Sequence, residues 1–249
     1  MKKTQTCCCI LLVCLALSCY AQEQDTTRQK NMKFAIYPAM GYTPETGVNI
    51  GAIAFFVFDK PVEEQNKKFH RPSSITPFIV FTTNKQALFK SDFDLFLKNG
   101  MNLNFDVRLF DFPDSYYGIG NEQQPEVFEK FSDKYAALAG SIFKPITQKL
   151  YASLVFDFQY DKIVPVSEGL LETDAPVGMN GGLVMGLGPG MRYDSRNSSI
   201  YPSKGRLATM AVTAFGPLIG SEFSYTKFLF DYRQYFDFIG PKTVIAVQA

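Results

Sequence analysis

Along residues 101–109 the side chains alternate without interruption. Met101, Leu103, Phe105, Val107 and Leu109 fall on one side, and Asn102, Asn104, Asp106 and Arg108 on the other. A period of two belongs to a β-strand with one oily and one wet face. Residues 150–161 repeat it, setting Leu150, Ala152, Leu154, Phe156, Phe158 and Tyr160 against Tyr151, Ser153, Val155, Asp157, Gln159 and Asp161. In residues 87–98, Phe89, Phe93, Leu95 and Leu97 oppose Lys90, Asp92, Asp94 and Lys98. An amphipathic helix would instead group its apolar residues at spacings of three and four. Extended along the chain, the pattern predicts strands near 33–43, 47–58, 73–84, 86–98, 101–112, 131–144, 149–162, 182–193, 205–216 and 221–236, with another beginning at 242–249.

Turn chemistry separates these runs: Thr43-Pro44-Glu45-Thr46-Gly47, Asn99-Gly100, Gly216-Pro217 and Gly240-Pro241. Asn99-Gly100 between two alternating runs is the strongest hairpin signal. The expected topology is an antiparallel meander. A soluble sandwich or small barrel would bury its apolar face and use strands of about five or six residues, whereas a membrane barrel turns that face outward and needs about 9–11. The predicted strands are long, and their polar faces carry full charges at Lys90, Asp92, Asp94, Asp106, Arg108, Asp157 and Asp161, as a water-filled lumen would. The expected fold class is therefore all-β, an antiparallel transmembrane β-barrel of the outer-membrane type with no compact core. If the first strand rises from the periplasm, the long 113–130 and 163–181 joins are external and the tight Asn99-Gly100 join is periplasmic, with 59–72 a long exception.

Composition adds the compartment. All five cysteines, Cys7, Cys8, Cys9, Cys14 and Cys19, lie in the first nineteen residues, so they are not a disulfide framework. Lys2 and Lys3 precede an apolar run ending near Leu17, and Cys19-Tyr20-Ala21 offers small residues at −3 and −1 of a signal-peptidase site. The alternative is a lipoprotein acylated at Cys19. Cleavage after Ala21 leaves 228 thiol-free residues with a net charge of −1. The domain reading is a signal peptide at 1–21, a short periplasmic segment at 22–32 and a barrel over 33–249. Near-neutral charge excludes a nucleic-acid partner held by a basic field. No later segment offers the roughly 18 apolar residues of a membrane helix.

Residues 186–205 carry the most specific motif. Glycines at 186, 188 and 190 leave one face of a strand bare, so a neighbouring backbone can approach. Asp194 and Arg196 share a side and could pair across the turn, with Pro202 and Gly205 shaping its exit. Gly188, Gly190, Tyr193, Asp194, Arg196, Pro202 and Gly205 together resemble the strand–turn–strand signature of the bacterial surface antigen family, the BamA/TamA-type outer-membrane assembly barrels. Residues 37–47 and 116–121 are similar to short members of that family. The resemblance implies an outer-membrane location, lipid and client outer-membrane proteins or assembly-machinery subunits as partners, and no cofactor. It also implies about 16 strands, a periplasmic POTRA region and an Arg-Gly-aromatic loop motif. The chain shows neither feature, and its 249 residues are expected to be an incomplete barrel. Pro38, close to Gly41 in the first strand, lacks an N–H and belongs on an edge or at a bulge. The family's first strand borders a seam for incoming strands, which would make Pro38 and Gly41 seam residues.

Enzymatic chemistry finds little support. His70, the only histidine, sits in a polar join, which removes His-based triads and multi-histidine metal sites. Asp92, Asp94 and Asp106 occupy alternating strand positions and read as lumen wall. Asn197-Ser198-Ser199 fits a glycosylation sequon but reads as turn. Two functions stay open: assembly or translocation of polypeptides at the outer membrane, and a passive pore or structural surface antigen whose charged lumen sets solute preference.

Overall fold

The computed structural model describes residues 32–44, 46–59, 71–120, 128–165, 169–238 and 243–249. The signal-peptide and Cys19 readings, most of the 22–32 segment, Glu45, His70, Asn121 and Gly240-Pro241 lie outside them. Eleven strands follow one another: β1 (Met32–Thr43), β2 (Gly47–Phe58), β3 (Ser73–Thr82), β4 (Ala87–Phe96), β5 (Asn102–Tyr116), β6 (Glu129–Pro145), β7 (Leu150–Pro165), β8 (Gly182–Asp194), β9 (Gly205–Phe215), β10 (Tyr225–Asp237) and β11 (Val244–Gln248). They form a single antiparallel sheet in chain order, a meander without crossovers. At the Asn99-Gly100 hairpin, Gly100 takes φ +81°, the Gly100 amide donates to Leu97 O, and the Met101 amide donates to Asn99 Oδ1 at 3.1 Å.

The pairing register assigns every side chain to a face. Lys90 lies opposite Arg108, Asp92 opposite Asp106, and Phe93 opposite Phe105. Ala139 is the next partner of Asp106, and Asp157 and then Gly186 follow it. Carried round the sheet, this register puts the charges on one face and an exposed apolar band on the other. Ile50, Phe81, Leu109, Leu138, Leu154, Met191, Met210 and Phe228 all belong to that second face. The rings of Phe93 and Phe105 stack there at 4.5 Å. A band of exposed large apolar side chains around a polar interior inverts the pattern of a soluble protein and suits lipid.

Contacts between strands far apart in the sheet show which face is concave. Lys227 on β10 reaches Asp157 on β7 at 3.2 Å, and Arg71, just before β3, reaches Asp194 at the end of β8 at 2.6 Å. Both bonds leave from the polar face, so the sheet curls around it. Contrary to the expectation of no core, the inside of the curl is packed at one end. Phe96, Asn102, Phe143, Tyr151, Asp194 and Leu207 are all buried there. Each stands at the end of its strand nearest the even-to-odd joins, so six consecutive strands contribute to one layer. Alternation could not reveal this layer, because interior residues meet across the curl from strands distant in sequence.

Three strands are longer than all the others. β5, β6 and β7 have 15, 17 and 16 residues. At about 3.4 Å per residue each reaches about 50 Å, beyond an apolar band about 25 Å tall. They project at the opposite end from the packed layer and shorten the 113–130 and 163–181 joins. There a helix, α1 (Leu170–Asp174), buries Leu171, whose amide donates to Glu129 Oε2 at 2.8 Å. The Tyr116 hydroxyl donates to Asp174 at 3.0 Å. Five helical residues are too few to display a helical period, which is why α1 was not expected.

The glycines of β8 place their missing side chains against β9. A Cβ at Gly188 would stand 1.8 Å from the Val212 carbonyl oxygen, and one at Gly186 would enter the Phe215 ring. The β8–β9 ladder has no paired residues at Gly188 and Pro189 and resumes at Gly190. Bare backbone on the concave side lets β9 fold inward, the device by which glycines introduce curvature. Gly188→Val, which would overlap backbone that cannot move aside cheaply, is expected to cost about 3 kcal/mol or more. Loss of the heat-modifiable folded band on cold electrophoresis, or a lowered denaturant midpoint, would register it.

Candidate functional site

On the concave face the charged residues are paired. Lys90 meets Asp92 at 3.1 Å, and Arg108 lies 2.7 Å from Asp106, an ion pair whose geometry falls short of a hydrogen bond. Asp94 accepts from Asn102 Nδ2 at 2.6 Å, and Asp161 from Gln159 Nε2 at 2.8 Å. Asp92, Asp94, Asp106, Asp157 and Lys227 line a cavity of about 250 Å³ that spans strands from β3 to β10. Lys90 and Asp92 are about half exposed, so their pair adds little stability. Its effect is to keep the wall wet and near neutral.

The motif at 186–205 closes one end of this interior. Asp194 is 4% exposed. It accepts from Arg196 at both oxygens, Nε to Oδ1 at 3.0 Å and Nη2 to Oδ2 at 2.9 Å, and from the Arg196 amide at 3.0 Å. Arg71 Nη1 donates to Oδ2 at 2.6 Å, and Arg71 Nη2 to the Arg196 carbonyl at 3.3 Å. One carboxylate thus joins its own turn to the join preceding β3, 123 residues away. Burial of Arg196 opposes its charged form, but the Asp194 carboxylate more than offsets this, and the guanidinium is held above its ordinary range.

Arg192 extends the cluster inward. Its guanidinium lies 3.3 Å from the Phe143 ring centre, and its Nη1 donates to Asn102 Oδ1 at 3.0 Å. The same Asn102 binds Asp94. A continuous chain of polar contacts therefore runs Asp94–Asn102–Arg192, with Phe143 packed beneath.

Asn197 holds the turn itself. Its side-chain oxygen accepts from the Ser203 and Lys204 amides at 3.0 and 3.1 Å, and its amide group donates to Ser203 Oγ at 2.8 Å. The side chain of the apparent sequon is thus a structural spine of the turn. Pro202 lies in the loop, and Gly205 takes φ +98° with the Ser195 carbonyl 2.2 Å from where a Cβ would stand. Tyr193 is on the convex face, with the Arg206 guanidinium 6.0 Å from its ring centre. Gly190 faces inward against Ser153.

Pro38 and Gly41 lie apart from this cluster, on β1, an edge of the described sheet. The β1–β2 register is unbroken from Met32 to Thr43, which removes the bulge reading. The Thr83 amide donates to the Val48 carbonyl, so Val48 points to β3, and by alternation so does Ala52. Pro38 is opposite Ala52 and therefore turns its nitrogen away from β2, to the open edge. Gly41 faces inward opposite Asn49.

Arg71, Asn102 and Phe143 complete the site without having been singled out in the sequence, and Asn197 was singled out only as part of a sequon. Asn102 was legible only as one wet-face residue among several, and Arg71 only as a charge in a polar join.

A curled antiparallel sheet with a charged interior and an apolar exterior defines an outer-membrane type of β-barrel. Residues 81–249 match the Omp85 superfamily domain, and the chain belongs to that superfamily. The match includes the whole signature turn and leaves out Pro38 and Gly41. Among solved structures the chain is similar to BamA from Haemophilus ducreyi lacking POTRA domains 1-3. Identity is 16%, coverage is 89% of this chain and 40% of that one, and the TM-score is 0.45. The chain thus spans less than half the length of that protein. No curated protein matches it.

Removing the Asp194 charge leaves two arginines facing a neutral partner in a buried place. Asp194→Asn is expected to cost about 3 kcal/mol, because breaking a buried pair strands the surviving charges. A double-mutant cycle with Arg71→Met, read by denaturant unfolding in detergent, should give a coupling well above the experimental error. Additive effects would show that the long-range bond contributes nothing.

Proposed function

We propose that this chain is the membrane domain of a factor that inserts or translocates polypeptides at the bacterial outer membrane, without enzymatic chemistry. In this reading residues 1–21 are its export leader, 22–32 a periplasmic lead-in and 33–249 barrel. The even-to-odd joins, including the signature turn, face the periplasm. Partners are lipid, client outer-membrane proteins and assembly subunits.

One observation carries the reading: β1 pairs fully with β2 on one side, and towards its other side Pro38 withholds a donor. An edge strand missing one hydrogen bond in the middle can take up an incoming strand by β-augmentation and still release it. Superfamily membership supports it. Gly188, Gly190, Tyr193, Asp194, Arg196, Pro202 and Gly205 then act as scaffold, holding the barrel end shut while the β1 edge works. The wall residues Lys90, Asp92, Asp94, Asp106, Arg108, Asp157 and Asp161 keep the lumen hydrated.

The charged, paired concave wall favours a second reading, a passive pore or structural surface antigen. Photocrosslinkers at Ile36 and Met40 separate the two. An insertion factor should give adducts with nascent barrel proteins there and not at Leu138 in the middle of the sheet, and its depletion should lower outer-membrane protein levels. Equal labelling at all three positions, unchanged protein levels and steady single-channel conductance in planar bilayers would establish the pore instead.

A further inference from the structure

On the convex face of β5, β6 and β7 the apolar run stops at the same row of the sheet. By the pairing register β5 contributes Leu103, Phe105, Val107 and Leu109, β6 contributes Ile142, Gly140, Leu138 and Ala136, and β7 contributes Leu154, Phe156, Phe158 and Tyr160. The next row on that face is Asp111, Lys134 and Lys162, with Lys134 opposite both of the others. From Leu150, the first residue of β7 on this face, to Lys162 is twelve residues. That is about 41 Å along the strand, or about 29 Å across the bilayer at a tilt of about 45°. The distance suffices to cross an apolar band about 25 Å tall. The row therefore stands in the headgroup plane at the odd-to-even end.

Lys134 and Lys162 are both exposed, and direct pairing sets their Cβ atoms about 5 Å apart. Like charges directly opposite one another destabilise a sheet. Lys90, Lys204 and Lys227 each have a carboxylate partner, whereas Lys134 and Lys162 form no ion pair among the described residues. Their chain neighbours Asp133 and Asp161 belong to the concave face by alternation. Asp111 shares the row, but its Oδ1 accepts from the Ser132 hydroxyl at 3.0 Å and it forms no ion pair with Lys134. Tyr160 lies two residues before Lys162 on the same face and is 50% exposed. Its hydroxyl has no hydrogen-bond partner among the described residues.

We propose that the Lys134–Lys162 pair, with the Tyr160 hydroxyl beside it, holds a phosphate group of a phosphorylated glycolipid in the outer leaflet of the outer membrane. The inference rests on the reading that places the odd-to-even joins outside, and it is independent of insertase activity. Position and charge together select the occupant. The pair continues the lipid-facing run of Leu154 to Tyr160, so what covers it is a headgroup, at the depth where tyrosine rings and long cationic side chains settle. Two ammonium groups held a rung apart are the complement of a phosphate monoester, whose double charge offsets the repulsion between them. A phosphate there would accept from both lysines and from Tyr160, satisfying donors that the protein leaves free. The site lies in the middle of the described sheet and needs no residue from either edge strand.

Native mass spectrometry of the full chain tests this, with lipid A, phosphatase-treated lipid A and phosphatidylglycerol offered in detergent at equal concentration. Lipid A adducts should survive preferentially and be stripped by raising the salt from low to molar concentration. Lys134→Gln with Lys162→Gln should weaken lipid A retention about tenfold or more, since each basic group near an anionic surface contributes several-fold. Lys134→Arg with Lys162→Arg should keep it, Asp111→Asn should strengthen it, and Lys144→Gln with Lys149→Gln at the other end should leave it unchanged. Heat-modifiable gel mobility checks each variant's fold, and Lys162→Gln alone, at an exposed position, serves if the double variant does not fold. Equal retention of lipid A before and after phosphatase treatment, preference for phosphatidylglycerol, or the same loss in both double Gln variants would overturn the proposal. Displacement by inorganic phosphate at matched concentration would also overturn it, by showing a free-anion site. The orientation is read separately, by labelling Leu218→Cys, which is 99% exposed in the β9–β10 join, with an impermeant maleimide in intact cells. Labelling without lipid A retention sinks the phosphate site alone, and no labelling sinks the orientation on which it rests.

Discussion

Lipid offers no partner to a backbone amide or carbonyl, so each polar group of a spanning segment must be satisfied by a neighbouring strand. That constraint explains the single sheet in chain order and the tight Asn99-Gly100 hairpin. It also gives the exceptions their meaning. Pro189 interrupts the β8–β9 ladder where glycines let β9 fold inward, and Pro38 withholds a donor on β1, which pairs only with β2 among the described residues. The two prolines have the same chemistry and opposite contexts, one inside a curved ladder and the other at an edge of the described sheet.

Curling a sheet of this kind brings interior side chains from distant strands into contact, and the packed end shows what that requires. Phe96, Phe143, Tyr151 and Leu207 fill the space. Asp194 then balances Arg71 and Arg196, and Asn102 connects Asp94 to Arg192. A buried carboxylate with two cationic partners is weak as a source of net stability but strong as a constraint on geometry, since any displacement strands a charge. The signature turn is therefore best understood as the clasp that holds one end of the curl, and the family match over 81–249 contains the whole of it.

Some of this was legible in advance. Alternation at residues 101–109 and 150–161 placed Asp106, Arg108, Asp157 and Asp161 on one face, because a strand's period is independent of its neighbours. The spacing of two between Asp194 and Arg196 suggested their pairing for the same reason. Arg71 could not be found this way: it stands in a polar join, and nothing local distinguishes it from a solvated charge. Asn197 in its sequon concealed a backbone role behind a familiar pattern, and the five residues of α1 were too few to show a period.

The sequence by itself determined strand periodicity, face assignment, turn positions and hence the fold class, since these depend on side-chain order within a dozen residues. Only the tertiary structure decided where the interior is packed and which cation answers Asp194. Those outcomes depend on register summed over many strands, and a change of one residue in any register would have turned a different set of side chains inward.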